Sequence, residues 1–269
     1  MDATPRSRTA LVTGASTGIG AEYARALAER GFHLVLVARR APLIEGLAAE
    51  LADRHGVAAA ALAADLADPA DRARVEERLR ADGTGPDTPV DLLVNNAGRG
   101  DGGPFAGQDP ADIDAVLDLN VRAVLHLTRA VLPVQAARRA AGHAGPLGVL
   151  NVSSVAGDLA AAPGGSVYSA GKAFLTQWSQ SVAVEAAVSG VRVTAVLPGY
   201  VRTDLTRGLQ ESGAPGFAFV PKEVVVRESL RAWAAGRALV VPGLRYRAAD
   251  ALVRLAPRGL FRAVAGRVV

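Results

Sequence analysis

No cysteine occurs in the 269 residues, which excludes disulfide bonds and thiolate metal sites and is consistent with a reducing compartment. The four histidines, His33, His55, His126 and His143, are scattered. None forms the spaced pair of a helical zinc site, so no metal is expected. Aromatic residues make up only 4% of the chain, so the core must be built from Ala, Val and Leu. No apolar run approaches the roughly 18 residues that a membrane span needs. The opening stretch "MDATPRSRTALVTG" lacks the long apolar core of a secretion signal. The expectation is a soluble, cytoplasmic protein. Lysine is also scarce: of 30 basic residues, only Lys172 and Lys222 are lysines. The net charge of +4 therefore rests on arginine. Its basic residues are mostly interspersed with acids, not clustered with stacking aromatics, so no nucleic-acid partner is expected.

What the chain does contain is alternation. Short apolar runs at 9–14, 33–39, 57–65, 90–98, 148–154, 191–199 and 238–243 are too short and too continuously apolar for solvent-facing helices. Between them lie stretches with helical spacing of Leu, Val and Ala, several ending at Gly31, Gly56 and Gly190 as C-cap chemistry predicts. Strand, helix, strand in repetition predicts one α/β domain: a doubly wound, Rossmann-like, mostly parallel seven-stranded sheet with helices on both faces. No long linker divides residues 1–269, whose core spans about 8–243. Residues 82–89 read as a surface loop. Residues 206–221 read as a lid or substrate loop, and 244–269 as a helical extension. This Arg-rich extension, with the single acid Asp250, could form a basic amphipathic helix at a membrane surface. Packing over the pocket or a subunit partner is the more ordinary use of such a tail.

The first apolar run leads into "TGASTGIG". Gly14, Gly18 and Gly20 fall where a strand becomes a helix, with Ser16, Thr17 and Ile19 between them. Glycines there let a pyrophosphate approach the free N–H groups of a helix N-terminus. At the end of the second strand an acid would bind a ribose 2′-hydroxyl. The sequence instead reads "VLVARRAP", with Arg39 and Arg40. A guanidinium can clamp a 2′-phosphate, so the cofactor is expected to be NADP(H), with Arg39 the favoured contact.

The scarcity of lysine gives Lys172 weight. Tyr168 and Lys172 stand four residues apart near the start of a helical pattern, on one face. A free tyrosine titrates near about 10, and a neighbouring ammonium lowers that value. Unlike arginine, lysine can hold ribose hydroxyls with rotatable donors and relay a proton. A hydroxyl at the end of the fifth strand points into the crevice where ligands bind in such sheets. Ser154 is the candidate to orient a substrate oxygen, ahead of its neighbour Ser153. Asn120 falls in the middle of a helical pattern, where Asn is intrinsically unfavourable and needs a reason.

With "TGASTGIG", "NNAG", "NVSS", the Tyr168–Lys172 pair and "PGYVRT" in order, the chain resembles the short-chain dehydrogenase/reductase family over about residues 8 to 205. The resemblance implies a catalytic set of Asn120, Ser154, Tyr168 and Lys172, with Asn120 holding a water that links the lysine to solvent. It implies adenine contacts from Asp65 and Leu66. It further implies that Asn95, Asn96, Ala97 and Gly98 border the adenosine side and stabilise the sheet. Pro198, Gly199, Val201 and Thr203 would surround the nicotinamide. It also implies a homodimer or homotetramer formed through the long helices near 112–138 and 167–189. A small carbonyl or alcohol is the expected substrate. The pocket is expected to be lined by the region after Gly98, by 155–163, and by the 206–221 loop. Leu159, Tyr200 and Phe217, together with Phe105 and Phe219, suggest an apolar substrate. The alternative is a regulatory protein that binds NADP(H) without turnover, which would be expected to have lost the Tyr or the Lys.

Overall fold

The seven apolar runs form seven strands, the first two as long as their runs but starting one residue earlier and the other five shorter: β1 (Arg8–Thr13), β2 (Phe32–Ala38), β3 (Ala59–Ala63), β4 (Leu92–Asn95), β5 (Gly148–Val152), β6 (Arg192–Val196) and β7 (Leu239–Val240). In this computed structural model, residues 8–82, 88–159 and 164–255 are described. Most of the loop expected at 82–89, residues 160–163 of the expected pocket lining, and 256–269 of the C-terminal extension lie outside the described residues.

The strands make one sheet in the order β3-β2-β1-β4-β5-β6-β7, and every pairing is parallel. Parallel neighbours need crossovers. These are supplied by α1 (Gly18–Ala28), α2 (Ala41–His55), α3 (Pro69–Arg80), α4 (Pro110–Leu117), α5 (Ala123–Ala140), α6 (Ser166–Ala187), α7 (Arg207–Glu211) and α8 (Lys222–Ala234), with α9 (Leu244–Leu255) following β7. Because side chains alternate across a strand, each strand feeds two cores. Ala10 and Val12 of β1 pack with α1, α2 and α8 on one face. Leu11 of the same strand packs with α3, α5 and α6 on the other. Both faces of the inner strands are covered, so these read as continuous apolar runs without alternation, while the edge strand β3 stays largely exposed.

The strand order reverses between β1 and β4, which is where such sheets open a crevice at their C-terminal ends. A buried polar chain crosses the sheet beneath this crevice. Asn95 Nδ2 donates to Thr128 Oγ1 at 3.1 Å and to Asn151 Oδ1 at 2.9 Å, and Asn151 Nδ2 donates to Ser179 Oγ at 2.9 Å. It ties α5, β4, β5 and α6 into one unit.

Three elements differ from the sequence reading. The stretch from 111 to 140 is not a single helix: a π turn, Asp118–Arg122, separates α4 from α5 and holds Asn120. Residues 206–221 are not a plain loop, because they include α7 and a short 3-10 turn, Gly216–Ala218. Helix α8 has no counterpart in the sequence reading. Its apolar stripe is diluted by Lys222, Glu223, Arg227, Glu228 and Arg231, although Val225, Val226, Leu230 and Trp233 are buried.

Candidate active site

A cavity of about 860 Å³ runs along the C-terminal ends of the strands. Its first part is the β1–α1 turn. Gly14 and Gly18 have φ of 65° and 61°, the left-handed region that glycine adopts without a Cβ clash. Gly20 lies behind the turn: a Cβ there would meet Gly14 O at 2.2 Å, so the turn closes tightly only with glycine. Thr17, the N-cap of α1, makes no side-chain cap, and the first turn of that helix faces the cavity. Asn96 braces the turn, with Nδ2 donating to Thr13 O at 3.0 Å and to Gly14 O at 3.3 Å. Thr13 Oγ1 accepts the backbone N–H groups of Asn96 and Ala97. Asn95 points the other way, into the buried polar chain.

At one end, Arg39, Arg40, Asp65 and Leu66 line the wall. Arg40 donates to Ser16 Oγ at 3.0 Å and to Thr17 Oγ1 at 3.2 Å, so its guanidinium lies over the glycine turn. Arg39 leans towards Asp65, at 3.7 Å. A cradle of an uncapped helix N-terminus, two hydroxyls and two guanidiniums, with no acid at the end of β2, fits a dinucleotide that carries an extra phosphate.

At the other end lie Ser154, Tyr168 and Lys172. Ser154 caps a 3-10 turn, Val155–Asp158, by accepting the Ala156 N–H at 3.1 Å. Ser153, also in the lining, has its hydroxyl engaged by α6, donating to Lys172 O at 2.7 Å. Tyr168 sits in the first turn of α6, and Lys172 one turn later. The lysine is 4% exposed, and its ammonium donates to Val152 O at 2.8 Å and lies 5.6 Å from the centre of the Tyr168 ring. Burial lowers the Lys172 pKa to about 8. Burial raises that of Tyr168. The Ser154 hydrogen bond opposes this rise, while Tyr200 and Asp101 add to it. The expected lowering of the tyrosine by Lys172 is not seen: the ammonium rests over the ring face and is held by a carbonyl, and desolvation dominates.

Asn120 is fully buried. Its Oδ1 accepts the Arg99 N–H at 2.9 Å and its Nδ2 donates to Arg99 O at 2.7 Å, so it pins the chain just after "NNAG". A side chain on Gly98 would begin 3.3 Å from Asn120 Oδ1 and 3.7 Å from Lys172 Nζ, so Asn120 and Lys172 flank one backbone position. The π turn supplies the reason for a mid-helix Asn, in keeping with the frequent use of such bulges at functional sites.

Pro198, Gly199, Val201 and Thr203 line the cavity, as do Leu159 and Tyr200. Phe217 does not: it is 70% exposed and stacks near Arg245. Phe105 is likewise exposed and outside the wall, and Phe219 is buried beside Arg202. Of the 206–221 segment, Thr206 alone reaches the wall among the described residues. Its expected place is taken by α9, through Tyr246, Ala249 and Asp250. The Tyr246 ring lies so close to Gly199 that a Cβ there would fall 2.2 Å from it, and the Tyr246 hydroxyl donates to Ala218 O at 2.6 Å. Asp101 lines the cavity, within the region after Gly98 expected to do so, and Leu205, which was not anticipated, reaches it as well.

The profile of the short chain dehydrogenase family matches residues 8–213. The chain belongs to that family. Oxidoreductase UcpA of Escherichia coli strain K12 is 39% identical over 208 residues, 77% of this chain and 74% of that protein. A short-chain dehydrogenase from Sphingobium yanoikuyae, solved in complex with NADPH, is 36% identical with a TM-score of 0.80, covering 95% of each chain. A bulky-bulky ketone specific alcohol dehydrogenase from Comamonas testosteroni is 33% identical with a TM-score of 0.78, covering 95% of this chain and 94% of that one. As a member of the short chain dehydrogenase family, the protein is an oxidoreductase that works with a nicotinamide cofactor. No helix among the described residues is long and apolar enough to cross a membrane, and no cluster of three or more His, Cys, Asp or Glu side chains there is placed to hold a metal ion.

Proposed function

We propose that this short chain dehydrogenase uses NADP(H) to interconvert an apolar, uncharged ketone or aldehyde and its alcohol, with Tyr168 as the general acid and base. One observation carries the reading: the glycine turn with its arginines and the Ser154–Tyr168–Lys172 group share one continuous cavity. The nicotinamide, when bound, supplies or accepts the hydride. Tyr168 gives its hydroxyl proton to the carbonyl oxygen in reduction and takes it back in oxidation. Ser154 orients that oxygen. Lys172 holds ribose hydroxyls and, with its pKa near about 8, passes a proton onward at near-neutral pH. Asn120 keeps the Gly98–Arg99 backbone beside it.

The phosphate-binding part of the reading is supported by Arg40 over Ser16 and Thr17, with Arg39 beside it. The Sphingobium neighbour in complex with NADPH supports the same choice. The substrate class is supported by Leu159, Leu205, Tyr200 and Tyr246 in the wall. Apart from Lys172, the only cations in the described lining are Arg39 and Arg40 at the far end, whereas Asp101 lies beside Tyr168. An anionic substrate would meet a like charge there. The bulky-bulky ketone specific neighbour supports a ketone. The test is consumption of NADPH and NADH with a panel of uncharged aryl and alkyl ketones, with Tyr168→Phe run alongside. Turnover with NADPH that drops by at least about 10²-fold in the variant is expected. Turnover with NADH alone would overturn the cofactor choice, and an active Tyr168→Phe would overturn the acid–base role.

A further inference from the structure

Helix α6 carries both Tyr168 and Lys172, yet it begins without a cap of its own. Its N-cap is Gly165, with no side chain to accept a hydrogen bond, and its first turn contains no acid. The first N–H groups of a helix need acceptors, and the missing one arrives from 66 residues away. Asp101 Oδ2 accepts the N–H of Val167, the residue just before Tyr168, at 2.9 Å. Gln108 reaches the same oxygen at 3.5 Å while holding Gly103 O at 3.1 Å, which braces the carboxylate from its own loop. The second oxygen, Oδ1, is buried and meets no donor. Its charge is therefore only partly offset within a few residues of the tyrosine.

We propose that Asp101 is a positioning residue for the reaction: it fixes the first turn of α6, and with it the Tyr168 hydroxyl, while its carboxylate favours the proton-bearing form of that tyrosine. This rests on the reading of Tyr168 as the general acid. The N-terminal end of a helix attracts negative charge, which alone would favour tyrosinate in the first turn. Asp101 opposes that bias, and it is one of the groups that raise the Tyr168 pKa. The other polar or titratable groups around the tyrosine are Ser154, Lys172 and Tyr200, with Asp158, Tyr246 and Asp250 elsewhere in the same wall. Ser154 opposes the rise, and Tyr200 adds to it. A tyrosine kept protonated is ready to donate, which suits reduction.

Two variants separate the two roles. Asp101→Asn keeps an acceptor for the Val167 N–H and removes the charge, whereas Asp101→Ala removes both. With NADPH and an uncharged ketone, the rate of reduction falls at high pH as Tyr168 loses its proton. In Asp101→Asn this alkaline limb is expected to move to lower pH. In Asp101→Ala, kcat at the optimum is expected to fall about tenfold further, because the hydroxyl is no longer held in place. Tyrosinate absorbance, taken as the difference between each protein and the same protein carrying Tyr168→Phe, reads the titration without turnover. Faster amide exchange at Val167 in Asp101→Ala reads the lost cap.

An unchanged alkaline limb and an unchanged Tyr168 titration in Asp101→Asn would overturn the charge role. Equal kcat and equal exchange in the two variants would overturn the capping role. If Tyr168→Phe stays active while both spectroscopic shifts occur, the acid–base reading falls and the coupling of Asp101 to Tyr168 stands.

Discussion

Lys172 pays for its position in stability. Its ammonium is buried against Val152 O, and its pKa is drawn from 10.5 down to about 8, so below that value the folded chain carries a charge it would rather shed. The sign follows from linkage: between about 8 and 10.5 the unfolded lysine keeps its proton while the folded one releases it. This residue therefore destabilises the fold fully below about pH 8, and the penalty fades as pH rises towards 10.5. Lys172→Met is expected to lose activity yet raise unfolding stability at pH 7 by about 2 kcal/mol, the shift being partly offset by the lost hydrogen bond. Urea unfolding of both proteins from pH 7 to 10 checks it, and a gap that does not narrow above pH 8 would sink the account. The residue itself was legible in the sequence, because a four-residue spacing survives folding unchanged and a rare lysine stands out. The particular contacts of Asp101 and Tyr246 were not legible, although the regions that hold them were expected near the pocket. Their place beside Tyr168 and Gly199 comes from the tertiary path of the chain, and no local spacing records it.

Among the elements, the inner strands were readable because a strand buried on both faces needs a continuous apolar run, whereas the edge strand β3 is largely exposed and was readable through its alanines. The π turn was not, since the extra residue preserves the helical pattern on either side and only Asn120 hinted at it. For the C-terminal extension the sequence left the pocket and a subunit partner both open; the structure lays α9 across the cavity, and the chain marks the contact with Gly199. Adding a methyl there would drive into the Tyr246 ring, at 2.2 Å from Cζ. Gly199→Ala is expected to destabilise the protein by about 1–3 kcal/mol. In a Tyr246→Ala background the same substitution is expected to cost less than about 0.5 kcal/mol, because the clashing ring is gone. Thermal unfolding of the four proteins gives the coupling, and additive effects would show that the ring is not what the glycine accommodates.

For the whole molecule, large apolar side chains stand exposed at α6 and α4. Phe174 and Val184 are exposed on α6 and Val188 just after it, and Leu117 is exposed at the end of α4. These are the two helical regions expected to join subunits. We infer a homodimer or homotetramer in solution, with Val184→Asp and Val188→Asp together shifting light-scattering mass towards the monomer. A monomeric parent protein would refute it.

The contact of Tyr246 with Gly199 and Ala218 also has a thermodynamic side. One ring touches the turn expected to meet the nicotinamide and the segment after α7, so the seating of α9 and the filling of the cavity share a single free energy. By reciprocity, whatever a ligand gains from a seated α9 it must return by holding α9 in place. Arg245 and Arg247 lie within that helix and offer cleavage points for trypsin. Cutting there is expected to slow several-fold when NADPH and a ketone are added together, making proteolysis a record of occupancy even where no product is seen. Equal cutting rates with and without ligand would mean that the two events are independent.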